Sequence, residues 1–245
     1  MAQLSHILGQ RTDLSTFVVH LTRSGQDQSA RENLIEMLEE GTIEARNPYG
    51  SAVGPLRKEI ENGNASQEDL DSQNVVCFTE TPLEHMSLLL RDIDDLDREM
   101  EYAPYGIGMT KKVARRNEVN PVWYVDITPG HDWLINPVNR LIDQAIESGN
   151  FRNSDIADVT PFIEQMGTGE DYRKEFWWER EWRHSGNFWL PNHFIIIAPE
   201  EDHTEIDALV EELVGINGEC VDPRWGLESI IARLAGYSDD DVGAF

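Results

Sequence analysis

Alternating apolar and polar positions predict a series of short strands along the chain. The first, Thr16 to Thr22 (TFVVHLT), is β-branched and apolar, and it places His20 and Thr22 on one face. A second strand is predicted at Asn74 to Thr79, which reads NVVCFT. Further strands are predicted at Tyr102 to Thr110, Pro121 to Thr128 and His193 to Ala198.

Apolar residues at helical spacing predict helices between these strands. Arg31 to Glu40 carries an apolar stripe, and Gly41 stands where a left-handed residue commonly ends a helix. Pro82, which is tolerated in a first turn, begins a long helix that runs to about Met100. Further helices are predicted at Val138 to Glu147, Asp155 to Met166, Glu205 to Val214 and Leu227 to Leu234, and connections at Ile43 to Gly54 and Asn62 to Gln73.

The order of these elements bounds the fold class. Strands and helices mix without a strict βαβ alternation, which favours the α+β class. A length of 245 residues and a 40% hydrophobic content suffice for one sizeable core. We therefore predict a single α+β domain over residues 1–245, with a central mixed or antiparallel sheet flanked by helices and an acidic tail at 238–245.

The stretch from Lys174 to Arg183, KEFWWEREWR, concentrates three of the seven tryptophans. As a helix it would stack acidic and basic residues in an exposed row, but its aromatic content favours a strand. Strand periodicity then gives it one core face and one polar face. The predicted core face holds Phe176, Trp178 and Trp182, interrupted by Arg180, and the polar face holds Trp177, Glu179, Glu181 and Arg183.

Composition excludes several classes of protein. With 46 acidic and 20 basic residues, the net charge of −26 argues against broad binding to nucleic-acid phosphates or anionic lipid. The acidity indicates either solubility, including adaptation to high salt, or a docking surface for a basic partner. No apolar run reaches the roughly 20 residues that span a bilayer, and the N-terminus has no secretory signal pattern. Cys77 and Cys220 form no CxxC pair, so we expect a cytoplasmic, reducing location.

Familiar catalytic motifs are absent from the sequence. There is no GxxxxGK[ST], no GxGxxG after a strand, no HExxH and no GxSxG. A metal site from His20, Glu179, Glu181 and His184 would lack any recognisable ligand spacing, so no metal is predicted.

Several separated motifs together resemble a known family. The run CFTETPL, the later YGIGMTKK with PVWYV, and the block WEREWR are similar to the abortive phage-resistance family AbiGi. The resemblance extends from about His20 to Phe188, and CFTETPL and ExEWR are its most specific parts. It implies a prokaryotic defence role, and the family's antitoxin label implies a partner toxin.

A second resemblance suggests a reaction. ADP-ribosyltransferases place a His or Arg on a first strand, a short polar motif on a second and a Glu, often as ExE, on a late strand, and FVVHLTR followed by NLIEMLEEGTI is similar to the start of the DarT toxins. The resemblance implies a split-sheet fold with NAD as cofactor. By it, His20 would bind the ribose, Thr79 would support the nicotinamide pocket and Glu181 would be the catalytic carboxylate, stabilising an oxocarbenium-like centre.

The candidate residues follow from these motifs. The catalytic candidates are Glu181, His20 and Glu179, and the NAD-binding candidates are His20, Thr22, Arg23, Phe78, Thr79, Tyr105, Trp177 and Arg183. Each has a structural alternative, since His20 could be a core histidine, and Glu179, Glu181 and Arg183 could form an ion-pair cluster beside tryptophan rings.

Two functions are compatible with these observations. In one, the chain transfers ADP-ribose from NAD to a macromolecular or small acceptor in anti-phage defence. In the other, it is a non-catalytic antitoxin or interaction protein that binds and restrains a partner toxin.

Overall fold

A computed structural model describes residues 14–25, 27–90, 102–168, 173–174 and 177–237 of the chain. Strands and helices are distributed along its whole described length. The strands are β1 (Phe17–Leu21), β2 (Thr42–Ile43), β3 (Asn47–Pro48), β4 (Asn74–Thr79), β5 (Gly106–Thr110), β6 (Asn120–Pro121), β7 (Trp123–Asp126), β8 (Ile163–Thr168), β9 (Arg173–Lys174), β10 (Glu181–Ser185), β11 (Phe188–Trp189), β12 (His193–Ile197) and β13 (Asn217–Val221). The helices are α1 (Ala30–Glu40), α2 (Val53–Glu61), α3 (Gln67–Asp71), α4 (Met86–Leu89), α5 (Lys111–Arg116), α6 (Ile135–Glu147), α7 (Asp155–Val159), α8 (His203–Glu212) and α9 (Leu227–Leu234).

This set of elements confirms the predicted α+β class. The chain divides into two compact units, each built from separated segments. The first unit comprises Met1–Thr42, Glu80–Ala114 and Trp189–Phe245, and the second comprises Ile43–Thr79 and Arg115–Phe188. A single domain over residues 1–245 and an ADP-ribosyltransferase-like split sheet stay predictions.

The first unit contains a mixed sheet in the order β13-β12-β5-β1. β12 pairs with β13 in parallel, whereas β5 pairs with β12 and with β1 in antiparallel fashion. Gly106 at the start of β5 is required by packing, because a Cβ there would lie 2.2 Å from the backbone oxygen of His20. At Gly106, the backbone of strand β1 therefore approaches β5 too closely for any side chain.

Helix α1 is capped at both ends, and its C-terminal end is the one that the sequence predicts. The Ser29 side chain accepts from the backbone of Glu32 while the Glu32 carboxylate accepts from the Ser29 backbone, a reciprocal capping box. Gly41 ends the helix in the left-handed region at φ 65°. The apolar face of α1 packs in a core with α8 and the sheet, formed by Leu34, Leu38, Ile107, Phe194, Ile196, Ala198, Ile206, Val210 and Cys220.

The second unit contains two groups of strands. In one, β4 pairs with β3 and β10, and β10 also pairs with β6, all antiparallel. In the other, β8 pairs in parallel with β7 and in antiparallel fashion with β9. Its helices pack in a core formed by Ala52, Leu56, Leu70, Ile142, Ala145, Ile146, Phe151 and Ala157.

Three predictions about secondary structure were wrong in part. The helix predicted from Asp155 to Met166 ends at Val159, and β8 follows Pro161, because proline cannot continue the helix and the next residues pair with β7. The connection predicted at Asn62 to Gln73 contains α3, which Ser66 caps. The strand predicted from Lys174 is interrupted by a 3-10 turn at Trp177–Glu179 and resumes at Glu181.

Two sequence predictions fall on residues that the structure does not describe. The C-terminal half of the helix predicted to reach Met100 lies outside the described residues, as does the acidic tail at 238–245. Within the described residues, no helix has the length and apolar character required to cross a bilayer.

Candidate functional site

In the second unit, a buried arginine forms ion pairs and hydrogen bonds with several polar groups near the predicted site. Arg183 lies on β10 opposite Cys77 of β4, and only 1% of its surface is exposed. Strand alternation predicts that Glu181 and Arg183 share a face, and the structure joins their side chains. We call Arg183, Glu181 and Glu164 the Arg183 cluster.

The guanidinium of Arg183 is satisfied by two carboxylates and a backbone carbonyl. Its Nε and Nη2 donate to the two oxygens of Glu181, each at 2.8 Å. Nη2 also donates to Glu164 Oε2 at 2.5 Å, and Nη1 donates to the Pro161 carbonyl at 2.7 Å. The Tyr49 ring lies 5.3 Å from the guanidinium carbon. A buried arginine requires this degree of pairing, because an unpaired charge there would carry a large desolvation cost.

Electrostatics in the cluster favour the charged forms of its ion pairs. Burial alone would raise the pKa of Glu164, but Arg183 and Lys174 outweigh burial and hold that pKa below its ordinary value. Lys174 contacts the other oxygen of Glu164 and so completes the pairing of this carboxylate. Burial alone would lower the pKa of Arg183, but Glu181 and Glu164 outweigh burial and raise that pKa above its ordinary value.

Neighbouring groups are held in their neutral forms. Burial and the Glu181 carboxylate raise the pKa of the Cys77 thiol well above its ordinary value, which disfavours a nucleophilic thiolate. The pKa of Tyr124 is also raised, chiefly by burial, and its hydroxyl accepts a hydrogen bond from the Glu181 backbone at 2.8 Å. The surroundings of Arg183 therefore suit a fixed structural ion pair.

Residues of the predicted site in the second unit lie close to this cluster. Glu181 faces Thr79 across the β4–β10 pair. The Thr79 hydroxyl donates to the Glu179 carbonyl at 2.9 Å. Phe78 is buried and packs edge-on against Phe188 at 5.3 Å between ring centroids, and Trp177 is 62% exposed.

The remaining candidates lie in the first unit. His20 is half-buried on β1 opposite Ile107 of β5. The Thr22 hydroxyl is buried within hydrogen-bond distance of the carbonyls of Ala30 and Tyr105. The carbonyl of Arg23 accepts from the Asn33 side chain at 2.8 Å.

Tyr105, proposed to stack on nicotinamide, is held by a charged neighbour. Its hydroxyl donates to Asp202 at 2.6 Å, and Arg31 lies 3.4 Å from the same carboxylate. Burial and the Asp202 carboxylate raise the pKa of Tyr105 to about 12. Tyr105 thus belongs to a polar cluster with Asp202, which directly precedes α8, and Arg31 of α1.

The structure also corrects the face assignment of KEFWWEREWR. Arg180 adopts a left-handed φ of 48°, which breaks the alternation that the sequence predicts. Trp182 is buried as predicted, Trp178 is only half-buried, and Arg183 is buried where a polar cleft face was predicted. Phe176 lies outside the described residues.

Glu164, Tyr49 and Tyr124 contact this site but were not among the predicted residues. Glu164 lies on β8, in a segment that was predicted to be a helix. The sequence therefore did not indicate on which face of a strand its side chain would lie. Tyr124 belongs to the PVWYV motif, which offered a signal through its place in the family resemblance.

A depression of about 400 Å³ lies elsewhere in the second unit. Loop residues 63–66 and 149–153 line it together with Asp69 and Ile146, and none of the predicted site residues does. In the described part of the chain, no group of three or more His, Cys, Asp or Glu side chains could hold a metal ion.

Comparison with known proteins gives one match. The family model described as "Putative abortive phage resistance protein AbiGi, antitoxin" matches residues 58–208, which is more than half of the chain. This range contains the CFTETPL, YGIGMTKK, PVWYV and WEREWR motifs. No curated protein and no solved structure matches the chain.

Proposed function

Because the chain belongs to the AbiGi family of abortive phage-resistance proteins, we propose that it is the antitoxin of an abortive-infection system. In this role it binds a partner toxin and holds it inactive without chemistry of its own. Two free thiols, Cys77 and Cys220, fit action in the reducing cytoplasm.

One observation carries this proposal. Both oxygens of the Glu181 carboxylate accept hydrogen bonds from Arg183, a residue that is itself buried. A carboxylate that stabilises an oxocarbenium-like centre must present its charge to the substrate. Here that charge is already neutralised by a neighbouring guanidinium, which supports a structural role for Glu181.

ADP-ribose transfer from NAD is the second candidate. It is favoured by the register of β4 and β10, which places Glu181 opposite Thr79. These are the two residues of the second unit to which the transferase resemblance assigns roles. In this alternative Glu181 and His20 would be essential, Glu179 would be a further catalytic residue, and Trp177 and Arg183 would assist in binding NAD.

A pair of matched substitutions separates the two candidates. Glu181→Gln and Glu164→Gln each remove one carboxylate from Arg183, but the transferase resemblance uses only Glu181. The toxin is first identified as a neighbouring gene product whose growth inhibition the chain relieves. Each variant is then assayed for neutralisation of that toxin and, as purified protein, for transfer of label from labelled NAD.

The proposal expects no transfer of label by the unaltered protein and neutralisation by both variants to an extent that follows their stability. Label transfer that is lost in Glu181→Gln and retained in Glu164→Gln would establish the transferase instead. A chain that inhibits growth by itself would also contradict the antitoxin role.

A further inference from the structure

The last described helix, α9, is fixed to the first unit by one of its sides. Ile230 on that side is 2% exposed. Arg233 donates to Asp207 of α8 at 2.6 Å and lies 3.5 Å from Glu219 of β13. The helix therefore has a defined orientation on α8 and the sheet.

Beside Ile230, at the edge of the buried side, α9 carries an exposed row of apolar side chains. Leu227, Ile231 and Leu234 are 51%, 55% and 39% exposed. Their spacing of four and then three residues places them on one face of the helix. We call these three residues the α9 stripe. Contiguous exposed apolar surface of this kind marks interaction sites in soluble proteins.

The end of the helix is fixed by backbone hydrogen bonds. Gly236 adopts a left-handed φ of 77°, and its N–H donates to the Arg233 carbonyl at 3.0 Å. The Tyr237 N–H donates to the Ala232 carbonyl at 3.0 Å, which completes a Schellman motif. The backbone of Tyr237, whose side chain is 63% exposed, is therefore fixed directly after the helix. A partner would not need to order this segment, which lowers the entropic cost of binding.

Charge around the stripe selects the kind of partner. Arg233 is shared by two carboxylates, and Glu228 on α9 adds a further negative charge. A second copy of a chain with net charge −26 would be repelled, whereas a basic surface would be attracted.

We propose that the α9 stripe is the surface through which this antitoxin binds its toxin. The toxin then supplies an apolar groove that receives Leu227, Ile231 and Leu234, with lysine or arginine residues along the rim of the groove. This is the helix-in-groove mode of recognition, in which anchors recur at i, i+4 and i+7. The inference rests on the proposed antitoxin function and names the site and the partner chemistry for it.

The experiment measures the affinity of the purified toxin, identified by neutralisation, for stripe variants. Leu227→Gln with Ile231→Gln removes two anchors and keeps residues that form helices well. Leu141→Gln is the matched control, because Leu141 lies on α6 and is also 51% exposed. We expect the double variant to weaken toxin binding about 30-fold or more and to lose neutralisation, while the control does neither. Circular dichroism and thermal unfolding verify that both variants are folded.

A second variant tests the charge argument without altering the stripe. Glu228→Gln should slow association with the toxin and weaken the dependence of binding on salt. An unchanged association rate and salt dependence would remove the argument for a basic rim.

The outcomes separate the inference from the function on which it rests. An unaltered chain that binds and neutralises the toxin, with a double variant that does so equally well, overturns the docking site alone. An unaltered chain that neither binds nor neutralises any candidate toxin overturns the function and the docking site together. Sedimentation that shows a dimer of the unaltered chain and a monomer of the double variant would assign the stripe to a second copy.

Discussion

Arg183 and Glu181, two residues apart on β10, form a two-pointed ion pair in which Nε and Nη2 each donate to a different carboxylate oxygen at 2.8 Å. Arginine is suited to this geometry because its planar fork matches a carboxylate. The pair holds Glu181 against an arginine that is buried in the second unit.

Replacing Arg183 should therefore destabilise the protein strongly. Arg183→Met leaves Glu164 and Glu181 facing each other without their shared cation, and we expect a loss of about 3–5 kcal/mol in the free energy of unfolding. Arg183→Lys keeps the charge but loses the fork, so it should restore only part of this stability. Urea denaturation measures both, with the exposed Arg115→Met as a control that should stay within about 0.5 kcal/mol. An equal effect of Arg183→Met and Arg115→Met would contradict a structural role for the cluster.

Glu164 should contribute to the pH dependence of stability. Its pKa is lowered in the folded protein from an ordinary value of 4.5, so its contribution is fully present above pH 4.5. The contribution is lost as the pH falls through the folded-state pKa, since protonation then favours the unfolded chain. We expect the stability difference between the unaltered protein and Glu164→Gln to shrink as the pH falls below 4.5. Urea midpoints from pH 7 to pH 3 measure it, and a constant difference over that range would speak against the pairing.

Tyr105 should titrate late, and its contribution to stability should be lost in alkali. Its pKa is raised from 10.0 to about 12 by burial and by Asp202, so its contribution is present below pH 10 and is lost as the pH rises through 12. Tyr105→Phe removes the hydrogen bond to Asp202, and we expect a loss of about 1.5–3 kcal/mol at neutral pH. Ultraviolet absorbance at high pH should show one late-titrating phenol fewer in the variant. Loss of a phenol that titrates near pH 10, in place of the late one, would mean that Tyr105 ionises as an ordinary tyrosine.

Two glycine substitutions should have opposite effects. Gly106→Ala would place a Cβ 2.2 Å from the His20 carbonyl oxygen, so β1 and β5 would have to separate, and we expect a clear fall in melting temperature. At Gly25 a new Cβ would meet only the Gln28 carbonyl oxygen, at an ordinary contact distance of 3.9 Å, and alanine restricts the unfolded chain more than glycine does. Gly25→Ala should therefore raise stability by up to about 1 kcal/mol. A harmless Gly106→Ala would contradict the register of β1 and β5.

The sequence anticipated the elements whose signals are local. The capping residues of α1, the apolar run of β12 and the stripe of α9 each predict their element from neighbouring residues. β8 could not be found in this way, because its residues follow a helical turn and become a strand only by pairing with β7. Tertiary pairing outweighed the local pattern there.

The sequence predicted which residues of β10 share a face, but it did not predict that this face is buried. The alternation along β10 correctly joined Glu181 to Arg183, since side chains two residues apart share a face. It could not show that this face is buried, because burial depends on Glu164 and Pro161, which lie about 20 residues earlier in the chain. The left-handed Arg180 was likewise invisible, since nothing in its neighbours demands that conformation.

The burial of Arg183 also constrains how the family can vary. A change of this arginine to an apolar residue leaves Glu181 without its counter-charge and Glu164 with Lys174 alone, while a change of either glutamate removes only part of the pairing of Arg183. Relatives that have lost the arginine should therefore have lost both glutamates as well. The three positions are expected to be inherited as one unit, and to diverge together.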